Sequence, residues 1–459
     1  MNSIQRYWRR INERCERARL EYVFLFLALT GGIAQVFIVP PLQVPDEGDH
    51  WFRAWAITDG QLTADPAGMV TLPGVFARTA DLYTGLISDT EVLPPSLAGQ
   101  PGFIGYDDLF NDTSTSGPIT VVSRTATYGP VGYLPQAAGI GLGRLVGASP
   151  LACFYLARLA NLLAAVALLF LAIRLAPFGK QLFVLLALLP MTMFQLASVS
   201  CDAITISGAM FFTSLLLWLT TRQRLRGTDI VLVLAAGAIL LNIKPGYEVL
   251  ALLVLLLRPP QLGGRGRYLA FVLATLLVVV ADLALNYVAT GAATRVGTDV
   301  GARDQLILIL QQPLGFLGVL LSSLQDHLLK WILESIGVLG WFTVALPPAL
   351  YVFVLFAGVA FYFGRKEEVT VETANRLLLA AVAIATFVTL AVALYVFLPT
   401  INGEISFQGR YLVPVWLLLL LSAYGIRFAR QHLDAAVMIG MLTVIVVVNL
   451  LTLASAYGA

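Results

Sequence analysis

Along the chain, long uninterrupted apolar runs alternate with short polar turns, in place of the half-polar helical stripe or strict alternation of a fold surrounded by water. An α-helix needs about twenty apolar residues to cross ~30 Å of hydrocarbon. Runs near or approaching that length predict helices at about 21–40, 151–173, 181–199, 203–221, 229–242, 246–257, 268–290, 342–363, 377–398, 410–426 and 435–456. The expected fold class is an all-α polytopic membrane protein of about 11 transmembrane helices, forming a single transmembrane domain over 1–459. Two polar stretches, 41–150 and 291–341, are expected to be large loops on one side of the membrane.

Basic residues set the expected orientation. Arg6, Arg9, Arg10, Arg14, Arg17 and Arg19 precede the first run, and no small-residue cleavage pattern follows it. This reads as an uncleaved signal anchor with a cytoplasmic N-terminus. The turns carrying Arg174 and Lys180, Arg222 to Arg226, Arg258 to Arg267, Arg365-Lys366 and Arg427 to Arg430 then fall inside, and both large loops fall outside. Keeping Arg226 and Arg258 on one side requires a reversal between them. Asn242-Ile243-Lys244-Pro245-Gly246-Tyr247 supplies it, because proline cannot continue a helix and glycine permits a turn.

Composition agrees with a membrane location: 58% of residues are hydrophobic, 12% are charged, and mean hydropathy is +0.82. A net charge of +2 gives no basic field for a nucleic-acid partner. Cys15, Cys153 and Cys201 lie too far apart to suggest a disulfide framework or a zinc site. The sequence has no Walker loop, G-x-S-x-G or H-E-x-x-H motif to anchor an ATPase, hydrolase or zincin.

Candidate chemistry concentrates beside the first run, in Pro45-Asp46-Glu47-Gly48-Asp49-His50-Trp51-Phe52-Arg53-Ala54-Trp55. Adjacent carboxylates raise each other's proton affinity, which suits one of them to act as a general base. Asp46, Glu47 and His50 are also candidate ligands for a divalent metal ion, and the competing explanation for the acids is a helix N-terminus. The second segment is Asn402-Gly403-Glu404-Ile405-Ser406-Phe407-Gln408-Gly409-Arg410-Tyr411. Arg410 there runs against the positive-inside trend, as an anion-binding group or a partner of Glu404. Lys244 is a second outer cation, for a phosphate or for Glu248. Arg158 and Asp282 lie inside expected spans, where ionisable groups face a cavity or each other. Asp202 marks the turn before the fourth run, as a ligand or a helix cap. Residues 128–150 are expected to lie along the membrane surface as short amphipathic helices. Arg303-Asp304-Gln305 and Gln325-Asp326-His327 are too diffuse to assign.

The segments PDEGDHWFRAWA, YGPVGYLP, FQLASVSCDA, NIKPGY and FQGRYLVP, in this order over about residues 20–430, resemble a bacterial family of multi-pass membrane proteins related to the GT-C superfamily of glycosyltransferases. The resemblance implies a GT-C-like fold with a large first extracytoplasmic loop. It also implies transfer of a sugar from a polyprenyl-phosphate carrier to a glycan or glycolipid acceptor at the outer face of the cytoplasmic (inner) membrane. Asp46 or Glu47 would match the base that deprotonates the acceptor hydroxyl. Arg410, and with it Lys244, would stabilise the departing lipid phosphate. His50, Arg53, Gln408, Tyr411, Arg158 and Asp202 complete the candidate substrate-binding set. Tyr128 stands where some members of the superfamily have histidine, which leaves metal use open. The alternatives are a flippase or transporter of lipid-linked saccharides and a non-catalytic scaffold of envelope assembly.

Overall fold

The computed structural model describes residues 7, 9, 12, 13, 15–63, 68–88, 109–111, 114–126, 128–290, 302–364, 371–397, 404–405, 407–424 and 433–458. The turns with Arg365-Lys366 and Arg427 to Arg430, the residues Asn402, Gly403 and Ser406, and the stretch 291–301 lie outside them. The first apolar run forms α1 (Leu20–Ile38), which ends where Pro40 and Pro41 remove the backbone donors that would continue it. A tight turn leads into α2 (Glu47–Thr58). Next come β1 (Met69–Pro73), α3 (Ala77–Ser88) and β2 (Pro118–Val122), with β1 and β2 paired antiparallel, Met69 opposite Val122. A short 3₁₀ turn, Pro130–Tyr133, feeds α4 (Leu134–Leu145). Gly139 and Gly143 press α4 onto α5 (Pro150–Leu175): a Cβ at Gly139 would lie 2.4 Å from the Leu156 carbonyl oxygen. Ser149 caps α5 by accepting from the Ala152 amide, with Pro150 at the first helical position.

Two short helices, α6 (Lys180–Ala187) and α7 (Pro190–Leu196), precede the buried α8 (Asp202–Thr220) and the shorter α9 (Gly227–Leu241). After a 3₁₀ segment, Glu248–Leu256, come α10 (Arg265–Thr290), α11 (Ala302–Gln311) and α12 (Pro313–Gly337). A two-residue hairpin of β3 (Val338–Leu339) with β4 (Val344–Ala345) follows. The chain closes with α13 (Pro348–Phe363), α14 (Thr373–Phe397), the 3₁₀ turn Gly409–Leu412, α15 (Val413–Ala423) and α16 (Ala435–Tyr457).

By length and composition, six helices among the described residues can cross a membrane: Leu20–Ile38, Pro150–Leu175, Asp202–Thr220, Arg265–Leu285, Thr373–Val396 and Ala435–Tyr457. A seventh span is possible if Arg303–Gln311 and Pro313–Gly337, bent by 100°, act as one. Five of the eleven expected spans therefore do not appear as single long helices. The run 181–199 breaks at Pro190, which places Leu189 in an extended conformation (ψ 140°) and splits the segment into α6 and α7. The reversal expected at 242–247 is present, with Gly246 at φ 104°. On its two sides, however, α9 has 15 residues, about 22 Å, and the following 3₁₀ segment has 9, about 18 Å. Both fall short of ~30 Å of hydrocarbon. The runs at 342–363 and 410–426 yield the shorter helices α13 and α15. Conversely, the expected loop 291–341 contains the 25-residue α12, whose apolar face was hidden by the polar Gln325-Asp326-His327 in its middle.

Candidate functional site

The turn from α1 into α2 is built on two non-glycine residues in the left-handed region, Leu42 (φ 66°) and Asp46 (φ 63°). Aspartate is among the residues that adopt this conformation more readily, whereas leucine has to be held there. Trp341 Nε1 donates to the Leu42 carbonyl at 2.9 Å, and the Leu42 amide donates to Glu47 at 3.1 Å. Gly48 is required by close approach, since a Cβ there would lie 2.3 Å from the Tyr83 ring. Trp51 seats α2 in an aromatic nest with Trp55, Phe76, Phe110 and Phe154.

The adjacent acids Asp46 and Glu47 take separate places. Glu47 is fully buried against Arg158 of α5 in a bidentate pair, Nε to Oε1 at 2.8 Å and Nη2 to Oε2 at 2.7 Å. Its two oxygens also accept from the Leu42 and Val199 amides, both at 3.1 Å, which occupies about as many acceptor sites as a carboxylate has. Arg158 spends its remaining donors on the carbonyls of Val36, Val39 and Pro40 at the end of α1. It is paired with Glu47, not with Asp282 as one alternative had it. Arg53 is likewise committed to backbone, donating to the carbonyls of Gln61, Leu62 and Tyr128.

Asp46 turns the other way and meets Arg410 of the 3₁₀ turn before α15. The Arg410 fork also reaches the Pro45 carbonyl at 3.3 Å and the Tyr411 hydroxyl at 3.3 Å. Its Nε lies 2.9 Å from Asp202 Oδ2, within ion-pair distance but out of hydrogen-bonding alignment. The other Asp202 oxygen accepts from Lys244 Nζ at 2.6 Å. Asp202 therefore serves as a bridge between two cations and not as a helix cap. Lys244 is paired with it and not with Glu248, whose carboxylate accepts from the Gly246 amide at 2.8 Å. Glu404, the other expected partner of Arg410, instead contacts His327 at 2.6 Å. The Tyr411 ring centroid lies 3.9 Å from Lys244 Nζ and the Tyr128 centroid 5.6 Å, so the ammonium is within cation–π reach of both rings.

His50 completes the cluster. Its Nδ1 shares a hydrogen bond of 2.7 Å with the Tyr133 hydroxyl. Burial pushes its imidazole down to about 4, against the pull of Asp202 and Asp46, so it is neutral near pH 7. Burial alone would raise the Asp46 carboxyl, yet the Arg410 guanidinium beside it outweighs this and holds it below the usual range. Asp49, one turn along α2, behaves oppositely. Burial and then the Asp46 carboxylate push it up to about 7, against hydrogen bonds from the Arg124 amide and the Tyr83 hydroxyl, each 2.8 Å. Burial works to lower the Lys244 ammonium, but Asp202 keeps it well above its ordinary value.

Supporting residues fix this arrangement from behind. Glu334 accepts from the Gly409 amide at 2.9 Å, and Ser335 donates to the Gly409 carbonyl at 2.8 Å, which anchors the Arg410 turn to α12. Gln136 and Asn161 both hold the 198–200 backbone in front of Asp202. A Cβ at Gly129 would fall 1.9 Å from the Asn242 carbonyl oxygen, so only glycine lets the YGP turn dock against the Lys244 loop. Gln408 is half-buried beside Arg410, with its Oε1 buried and unpartnered. Tyr133, Tyr83, Trp341, Glu334 and Ser335 were not among the residues expected at the site. Tyr133 lies within the YGPVGYLP segment, and Glu334 is a lone carboxylate near the end of an apolar helix; these were the signals available.

The donor set does not converge on a metal ion. Glu47 is saturated by Arg158 and two backbone amides, Asp46 is engaged by Arg410, and His50 Nδ1 is taken by the Tyr133 hydroxyl. Among the described residues, no group of three or more His, Cys, Asp and Glu side chains is arranged to hold one.

Asp46, Asp202, Lys244 and Arg410 thus come from four distant parts of the sequence to form an alternating chain of charges, with neutral His50 at its edge. No curated protein and no solved structure matches the chain. A family model described as "Predicted membrane protein (DUF2142)" matches residues 29–419, and the chain belongs to that family.

Proposed function

We propose that the protein is a membrane glycosyltransferase that moves a sugar from a polyprenyl-phosphate carrier to a hydroxyl of a cell-envelope glycan or glycolipid. One observation carries the proposal: two buried cations, Arg410 and Lys244, stand beside Asp46, whose side chain is 22% exposed while that of Glu47 is fully buried. The acceptor O–H gives its proton to Asp46 as its oxygen attacks the anomeric carbon. The bond from that carbon to the phosphate oxygen breaks, and its electron pair leaves on the phosphate. Arg410 and Lys244 stabilise the charge that develops there, in a site shielded from water. Asp46 is the base in this scheme and Glu47 a strut.

The bundle's polarity supports an outer-face site. α1 runs toward the cluster, while α5 and α8 run away from it. Arg19, Arg174 and Arg222 therefore lie at the opposite pole, where positive flanks remain cytoplasmic. A flippase would be expected to place its charged site near the midplane, and this cluster gathers at helix ends. The test is binding of a short-chain polyprenyl phosphate to the purified protein. Wild type is expected to bind, and Arg410→Lys and Lys244→Met to bind more weakly. Binding unchanged in both variants would overturn the donor site and move the transporter and scaffold readings ahead.

A further inference from the structure

Resting on the donor site just proposed, we infer that Arg410 is a shared ligand: the incoming phosphate takes the guanidinium from Asp46, and the carboxylate so released becomes the base only after the donor has bound. Asp46 is the carboxylate of the cluster that faces outward. Its side chain is 22% exposed, whereas those of Glu47 and Asp202 are at most 3% exposed and Asp49 is buried. An anion that approaches Arg410 therefore meets Asp46 first, and both compete for the same Nη2.

The contacts are arranged for exchange. Arg410 Nη1 reaches the Pro45 carbonyl at a long 3.3 Å, and Nε lies beside Asp202 Oδ2 without an aligned hydrogen bond. When Asp46 lets go, Arg410 stays tethered to Asp202, which Lys244 holds in turn at 2.6 Å. Asp46 stands at the N-terminus of α2, so its charge keeps some stabilisation from the helix dipole after release. The charged and titratable groups facing it are Arg410, His50, Lys244, Asp49 and Tyr83. Once phosphate neutralises Arg410, burial favours a proton on Asp46. Donor binding and proton affinity at Asp46 are then linked, and linkage acts equally in both directions. The acceptor finds a free base only in the donor complex, so substrates bind in the order donor, then acceptor.

Calorimetric titration of the full chain in lipid nanodiscs with geranylgeranyl phosphate tests this, in two buffers of different ionisation heat at mildly acidic pH. The variants are Asp46→Asn and Asp46→Gly, because both residues accept the left-handed backbone at φ 63°. With the competitor gone, both should bind the lipid phosphate about tenfold more tightly, the equivalent of one charge-assisted hydrogen bond. Wild type should take up more protons on binding than either variant, a comparison in which the titration of the phosphate itself cancels. If wild type binds but the variants bind equally or more weakly with the same proton uptake, the exchange is wrong and the donor site stands. If wild type does not bind, the donor site fails and the exchange with it. Inorganic phosphate run in parallel shows whether the headgroup alone drives the exchange.

Discussion

Replacing Glu47 with glutamine separates a strut from a base. The change keeps the shape of the side chain but removes the charge that balances Arg158, and both groups are fully buried. Breaking one side of a buried ion pair costs about 3–5 kcal/mol, because the remaining charge has no solvent to return to. The amide also presents a donor where an acceptor is needed. Either the Leu42 amide or the Val199 amide, both now 3.1 Å from the carboxylate, loses its partner, adding about 1–3 kcal/mol. A total of about 4–8 kcal/mol rivals the whole stability of many folded domains. The assay is the rate of thermal inactivation of the purified protein, followed by loss of monodisperse material on size exclusion. Glu47→Gln should inactivate much faster than wild type and also faster than Asp46→Asn, which removes a partly exposed carboxylate and leaves Arg410 beside Asp202. A paired replacement, Glu47→Leu with Arg158→Met, should recover much of the loss, since apolar residues of similar volume can substitute for a buried pair. The reasoning is refuted if Glu47→Gln is as durable as wild type, or if the paired replacement is worse than the single one.

Other expectations follow from single contacts. Asp49 is held up at about 7, far above the ordinary carboxylate, so the folded state binds its proton more tightly than the unfolded state does. Its contribution is therefore fully present below about pH 4 and is lost as pH rises through about 7; melting from pH 5 to 8 should fall more for wild type than for Asp49→Asn. Gly129→Ala drives a methyl group into the Asn242 carbonyl and should cost about 1–3 kcal/mol or more while displacing Lys244, read as lowered melting together with weakened phosphate binding. Tyr411→Leu removes the ring 3.9 Å from the ammonium but leaves the Lys244 to Asp202 pair, so it should weaken lipid-phosphate binding a few-fold without unfolding the protein.

Much of this architecture was legible in the chain. Where an apolar run was long and unbroken, as at Leu20–Ile38, Pro150–Leu175 or Ala435–Tyr457, it became a helix close to its expected bounds, because hydrocarbon thickness and helical rise leave little choice. Shorter runs were ambiguous, since apolar residues buried against other helices look the same as residues facing lipid; 182–189 is almost wholly buried. The site was legible as a set of segments but not as pairs. Asp46, Arg410, Lys244 and Asp202 could be picked out as costly polar groups beside apolar runs. The ion-pair partners that local spacing offered as alternatives to phosphate binding were Glu248 for Lys244 and Glu404 for Arg410, whereas the actual partners are 42 and 364 residues away. Spacing along a chain reports neighbours on one element, and these pairs are set by how helices pack. The division between Asp46 and Glu47 was equally hidden. It depends on the left-handed conformation of Asp46, which turns two adjacent carboxylates to different neighbours.

The most direct test of the central claim is transfer itself. Membrane vesicles containing the full chain are offered a panel of short-chain polyprenyl-phosphate sugars, and appearance of sugar on an endogenous acceptor is followed together with release of the carrier phosphate. The expected result is that wild type forms product from at least one donor, while Asp46→Asn forms none although it stays folded and binds the carrier. Product formation at the wild-type rate by Asp46→Asn, or release of carrier phosphate by neither protein, would contradict the account.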